Sequence, residues 1–384
     1  MMKIIAAPNA FKGSLTADQA AAAMAEGIHR VDTETKVIRM PVSDGGDGLV
    51  IAMANAMAGD LIPLPVTDPR ERRVKAQYLW DAGKRTAVIE MALASGLALL
   101  PHDLQDPTLA TTLGTGELIR DALDRGAQHI LLGIGGSATC DGGMGVAAAL
   151  GYRFLDGSGN VLSPMGKSLA RVAAIDSSGA DPRLAATRFS VACDVTNPFY
   201  GPEGAAVIFG PQKGATKDQV KELDKGLANL SRIIRKDLGA DLTGLEGAGA
   251  AGGLGGGMKA FFNAELTPGI DLVLDLLNFK DTLAGADLVL TAEGRIDDQT
   301  RFNKAPAGVA KAAKASGIPC IGLCGSMGDG LEPLYALGMD AVLSICPGPV
   351  TLESAMAKGY DLLALATEQA VRTFISARKS HGTT

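Results

Sequence analysis

With 384 residues, 47% of them hydrophobic and 20% charged, the chain has enough apolar material for one large domain or two ordinary ones and too much to be disordered. A net charge of −6, the lack of any basic block and an aromatic content of 4% exclude a nucleic acid as partner, because neither phosphate neutralisation nor base stacking is provided for. No apolar run approaches the ~20 residues that cross a bilayer, so no membrane partner is expected, and the five scattered cysteines (Cys140, Cys193, Cys320, Cys324, Cys346) read as reduced thiols of a cytoplasmic protein.

The chain opens as strand, loop, helix, strand. KIIAAP (3–8) is a short buried strand, and Asn9 to Ser14 form a polar loop. Thr16 with Gln19 three residues later gives a capping box for a helix to about Arg30. KVIRMPV (36–42) is the next strand and delivers SDGGDG (43–48), after which a helix runs from about Leu49 to Met57. The pattern then changes: LIPLPV (61–66), RVKAQYLW (73–80) and RTAVIEM (85–91) predict antiparallel strands joined by turns. Strand and helix segments alternate to about residue 210, among them HILLGI (129–134), which ends in the run GGSATCDGG (135–143). Val220, Leu223, Leu227, Leu230, Ile233, Ile234 and Leu238 recur at spacings of three and four, predicting an amphipathic helix over 218–238. GAGAAGGLGGG follows at 247–257. Buried parallel strands return at ADLVLT (286–291), IPCIGLCG (318–325) and DAVLSI (340–345), and a last helix spans about Leu352 to Ile375.

The opening and closing thirds share one pattern. This predicts an α/β protein of two α/β domains: a discontinuous Rossmann- or flavodoxin-like domain of residues 1–75 and 285–384, and a mixed-sheet domain inserted at 76–284. Ligands of such sheets lie outside the C-terminal strand ends, and the active site is expected in the cleft between the domains.

Three glycine-rich segments, two of them with aspartates, point to nucleotide handling, since glycines leave backbone N–H groups uncovered for an anion. The familiar signatures do not apply. GKS at 166–168 lacks the earlier glycine of a Walker loop, Val161 standing in its place. Gly133, Gly135, Ala138 and Asp156 loosely follow the dinucleotide fingerprint, but Gly142, Gly143 and Gly145 fall where its helix belongs. Cys320 and Cys324 have no companions for a zinc site, and none of the four histidines accompanies a nucleophile-elbow serine.

Charged residues cluster after the strands. Lys12 and Ser14 lie in NAFKGSL (9–15), where a lysine can neutralise a phosphate or carboxylate. Asp44 and Asp47 in PVSDGGDG have the chemistry of magnesium ligands. Asp194, Asn197 and Lys213 lie in the loop-rich stretch 193–215, with Asp194 suited to a metal or a substrate hydroxyl. TAEGRIDDQT (291–300) brings together Glu293, Arg295, Asp297 and Asp298, and Asn303 and Lys304 follow.

Taken in order, six of these segments resemble the bacterial glycerate kinases: Asn9 to Ser14, Asp44 to Gly48, 135–143, Cys193 to Ala215, 247–255 and Thr291 to Pro306. The resemblance covers essentially the whole chain. Four positions depart from the family pattern: Asp47 replaces a glutamate, Cys140 an asparagine, and Ala292 and Asn303 glycines. The resemblance implies transfer of the ATP γ-phosphoryl group to D-glycerate, at the 2-hydroxyl, with magnesium. The 3-hydroxyl, another hydroxy acid, a nicotinamide-dependent oxidoreductase and a non-catalytic sugar-acid sensor stand as alternatives. Implied roles are catalysis by Asp194, Lys12, Glu293 and Asp297, and magnesium at Asp194, Glu293 or Asp297. Glycerate falls to Ser14, Asp44, Gly45 and Arg295, and ATP to Gly135, Gly136, Ser137, Asp141, Lys213, Gly252, Gly253 and Lys304. Small molecules are the expected partners of a monomer or homodimer.

Overall fold

The computed structural model describes residues 1–381 except Asp47 and Ala58, so the substitution expected to matter at Asp47 lies outside the described residues. The chain folds as two compact units, one formed by Met1–Asp44 with Ile270–Thr384 and the other by Gly45–Gly269.

The first unit is built on a five-stranded sheet in the order Ala341–Ser344, Cys320–Met327, Leu288–Ile296, Lys3–Pro8, Lys36–Arg39. Every pairing is parallel, with Ile4 opposite Leu288 and Leu290 opposite Ile321. Residues 4–7 and 288–290 of its inner strands are uninterrupted apolar runs, as parallel strands covered on both faces require. The helix Ala17–His29 starts at the expected capping box, in which Thr16 and Gln19 satisfy each other's backbone N–H groups. It packs on the helix Gly359–His381 so closely that a Cβ on Gly27 would lie 2.2 Å from the Ala364 carbonyl oxygen. The closing helix, expected as one element from about Leu352 to Ile375, is not continuous. It breaks at Lys358 into Leu352–Ala357 and Gly359–His381, and Gly359 backs onto Ser14 Oγ, where a side chain would collide.

The second unit holds a six-stranded sheet in the order Glu265–Thr267, Arg188–Ala192, His129–Gly133, Thr86–Glu90, Arg73–Asp81, Asp60–Thr67. The first four strands are parallel, and the last two add on in antiparallel fashion, so the sheet is mixed. The amphipathic helix Lys217–Leu238 runs from the Thr216–Gln219 capping box to Gly239 and lays Leu223, Leu227, Leu230 and Ile234 into the core.

The junctions fall at 44/45 and 269/270, not at 75/76 and 284/285. Asp60–Thr67 pairs along its whole length with Arg73–Asp81, so it belongs to the second sheet. At the other junction Ile270 packs against Gly308 of the first unit. The 247–257 run also differs from a loop: it enters the helix Ala250–Phe262 through a left-handed kink at Ala251, Gly252 and Gly253. Among the described residues no helix is long and apolar enough to cross a membrane.

Candidate active site

The candidate residues form two groups, one in each unit. In the first unit they gather where the adjacent parallel strands Lys3–Pro8 and Leu288–Ile296 end. The Asn9 backbone N–H bonds the Ala292 carbonyl at 2.8 Å and so carries the neighbouring strand's register into the loop. The Asn9 side chain donates from Nδ2 to Glu293 Oε1 at 3.3 Å, while its Oδ1 accepts the Ala10 N–H at 2.8 Å. That second bond orients the carboxamide with its N–H groups toward Glu293.

Burial pushes the Glu293 carboxyl up to about 7, and the charge of Asp44 adds to this against the opposing pull of Lys304 and Asn9. Lys304 Nζ itself lies 3.3 Å from Asp44 Oδ2. Asp297, expected beside Glu293 as catalyst or metal ligand, is bound to Arg295 at 2.6 Å and accepts the Gln299 N–H to cap the turn Asp298–Arg301. Arg295 foremost holds the Asp297 carboxyl below its usual range. Arg295, expected to bind glycerate, is thus paired on the surface. Lys12 is exposed on the rim of a cavity of about 130 Å3, which Phe11, Ser14, Ser326, Cys346 and Met356 also line. The Ser14 hydroxyl donates to the Met356 carbonyl at 2.7 Å and keeps its lone pairs for a ligand.

In the second unit the strand His129–Gly133 runs out into Gly135, Gly136 and Ser137. Gly136 sits at φ +67°, which glycine adopts without strain. The loop is pinned from one side: the Leu97 N–H bonds the Gly136 carbonyl at 2.8 Å, and the Ala138 N–H bonds the Ser95 carbonyl at 3.0 Å. The N–H groups of Gly135, Gly136 and Ser137 meet no acceptor among the described residues. Next to them Lys213 is only 2% exposed, with Nζ 2.6 Å from Ser137 Oγ and 2.8 Å from the Thr139 carbonyl oxygen. It belongs to no ion pair among the described residues, and burial pushes its ammonium down to about 8. These residues, with Gly45, Gly46, Asp194 and Ala251, line a cavity of about 260 Å3. Consecutive free N–H groups beside a buried ammonium make a receptor for an anion with several oxygens.

Asp194 reaches this cavity and accepts the Gly269 N–H at 3.0 Å. Gly45, expected at the glycerate, lines the same cavity. Asp141 does not reach it. Fully buried, Asp141 accepts the N–H groups of Thr112, Gly143 and Gly145 and the Thr112 hydroxyl, and so holds the 135–143 loop in shape. Burial leads in pushing its carboxyl up, and those four donors oppose it. Gly252 and Gly253, expected on the phosphates, are packed instead. The Gly252 carbonyl takes the Gly142 N–H at 3.1 Å, and a Cβ at Gly252 would stand 1.9 Å from the Thr139 carbonyl oxygen. Cys140, expected to depart from the family pattern, is buried beneath the loop and away from the cavity lining. The contact of Asn9 with Glu293 joins residues 284 positions apart, and no local sequence signal announces it.

Among the described residues no three His, Cys, Asp or Glu side chains converge on one point. Magnesium beside a nucleotide takes most of its ligands from water and phosphate and needs only one or two carboxylates. One carboxylate, such as Asp194 on the lining of this cavity, fits that chemistry.

A profile of the glycerate kinase family matches residues 4–375. A protein of Halalkalibacterium halodurans named glycerate kinase is 46% identical over 372 residues, 97% of each chain. One of Escherichia coli named glycerate 2-kinase is 42% identical over 381 residues, 99% of this chain and 100% of its own. The crystal structure of a protein described as glycerate kinase 2 from Salmonella typhimurium matches with a TM-score of 0.90 at 44% identity, covering 98% of this chain and 99% of that one.

Proposed function

The chain belongs to the glycerate kinase family, and from that premise we propose that it transfers the γ-phosphoryl group of ATP to the 2-hydroxyl of D-glycerate, giving 2-phosphoglycerate and ADP. Relatives named as kinases along the full length supersede the oxidoreductase and sensor readings. The choice of the 2-hydroxyl draws on the relative named glycerate 2-kinase.

Phosphoryl transfer asks a protein for positioning and charge neutralisation more than for covalent chemistry. The observation that carries the site assignment is the row of N–H groups at Gly135, Gly136 and Ser137, which meet no acceptor among the described residues, beside the buried ammonium of Lys213. In this reading that row binds the ATP phosphates. Asp194 would hold the magnesium that accompanies ATP, an ion that supplies charge neutralisation when bound. Glu293 accepts the proton of the attacking hydroxyl, because a carboxyl near 7 is matched to proton transfer at neutral pH. Asn9 orients Glu293, Lys304 offers positive charge to the moving phosphoryl group, and Lys12 with Ser14 takes the glycerate carboxylate and free hydroxyl.

The test is purified enzyme with MgATP and D-glycerate, read through enolase with and without phosphoglycerate mutase. Signal without mutase supports the 2-position. Signal only with mutase reverses the position while leaving the kinase, and no ADP under either condition overturns the proposal.

A further inference from the structure

The contact between Lys213 and Ser137 has a direction. An ammonium only donates, so at 2.6 Å Ser137 Oγ is the acceptor. The serine's own hydrogen then points away from Lys213. No group among the described residues accepts it, and Ser137 lines the cavity where the N–H groups of Gly135 and Gly136 also lie free. Lys213 has a second fixed bond, to the Thr139 carbonyl oxygen at 2.8 Å, which ties its ammonium to the floor of the loop.

We propose that Lys213 acts on the nucleotide through Ser137: the buried ammonium fixes the serine hydroxyl as an outward donor, so that this subsite admits a group presenting only acceptors, a phosphate of the nucleotide. The proposal rests on the assignment of this cavity to ATP. It makes Lys213 a positioning residue and Ser137 the one that touches ligand.

The arrangement depends on Lys213 keeping its proton. The titratable groups facing it are Cys140 and Asp141, both buried under the same loop. The Cys140 thiol is pushed up to about 12 by burial and stays neutral, and Asp141 is held by its four donors. Burial leaves the Lys213 ammonium near 8. Above that pH the neutral amine accepts a hydrogen bond from the serine hydroxyl, the hydroxyl turns inward, and the outward donor is lost.

The test is steady-state kinetics of the full-length enzyme carrying Ser137→Ala, Lys213→Met or both. Each single change should raise the KM for ATP about tenfold, the worth of one charge-linked hydrogen bond, and leave the KM for D-glycerate unmoved. The double variant should be no worse than the worse single one. Effects that multiply to about a hundredfold would mean that Lys213 meets the nucleotide by itself, and would overturn the proposal. Should Lys213→Met fail to fold, the pH dependence decides. In the unaltered enzyme the KM for ATP should rise through pH 8, and in Ser137→Ala that rise should vanish. A rise that persists in Ser137→Ala overturns the proposal. Variants that change the KM for D-glycerate and spare that for ATP overturn the cavity assignment instead, and the proposal with it.

Discussion

Asn9 donates a hydrogen bond to Glu293 across the ends of two neighbouring parallel strands, at 3.3 Å, and the Ala10 N–H on its other side prevents the carboxamide from turning over. The contact favours the ionised form of a carboxyl that burial pushes up to about 7. If Glu293 is the base, kcat/KM falls as pH drops through about 7, because the protonated carboxyl accepts no proton. Asn9→Ala removes a donor that favours the charged form, so the acid limb should move to higher pH. Glu293→Gln should lower kcat by ~10²- to 10⁴-fold. A pH–rate profile of the three enzymes checks this, and an unmoved limb in Asn9→Ala removes Asn9 from the role.

Lys304 is paired with Asp44 at 3.3 Å, and its charge opposes the upward push on Glu293. Lys304→Met should therefore do two things. It should shift the acid limb upward, as Asn9→Ala does, and, if Lys304 has the role proposed for it, it should also lower the plateau kcat by an order of magnitude or more, because a transition-state cation is then lost. A limb that shifts with an unchanged plateau would confine Lys304 to tuning Glu293.

Much of this architecture is legible in the residues, and the exceptions share a cause. Thr16 with Gln19 and Thr216 with Gln219 announce helix starts because a capping box is local chemistry. The hairpin strands at 61–66 and 73–80 are legible as antiparallel strands joined by a turn. Their membership in the second sheet is not, because it depends on Thr86–Glu90 pairing onward to His129–Gly133. The GGSATCDGG run reads as an anion loop, and the N–H groups of its Gly135, Gly136 and Ser137 meet no acceptor among the described residues. The 247–257 glycines look alike in sequence but meet a different demand, since a backbone carbonyl pressed against a glycine and a phosphate approaching one both require only that Cβ be missing. Tertiary packing alone tells them apart.

That distinction is itself testable at Gly252. A Cβ there would meet the Thr139 carbonyl oxygen at 1.9 Å, and the backbone is at φ +69°. Gly252→Ala should destabilise the protein by roughly 2–4 kcal/mol, from steric strain and the left-handed backbone together. Thermal unfolding checks it. A variant of unchanged Tm with a raised KM for ATP would return Gly252 to the phosphates.

Asp194 separates two roles that its residue type alone leaves open. It lies on the lining of the second unit's cavity, and it already accepts the Gly269 N–H at 3.0 Å. A carboxylate that holds magnesium against nucleotide phosphates should be sensitive to charge and tolerant of pH, whereas a base imposes a limb on the profile. Asp194→Asn should therefore reduce kcat by orders of magnitude and raise the magnesium concentration needed for half-maximal rate. The acid limb near pH 7 should remain, because Glu293 is untouched. A magnesium titration and a pH profile on the same variant give both readings. Loss of the limb would transfer the base to Asp194, and a loss of activity below about tenfold would remove Asp194 from either role.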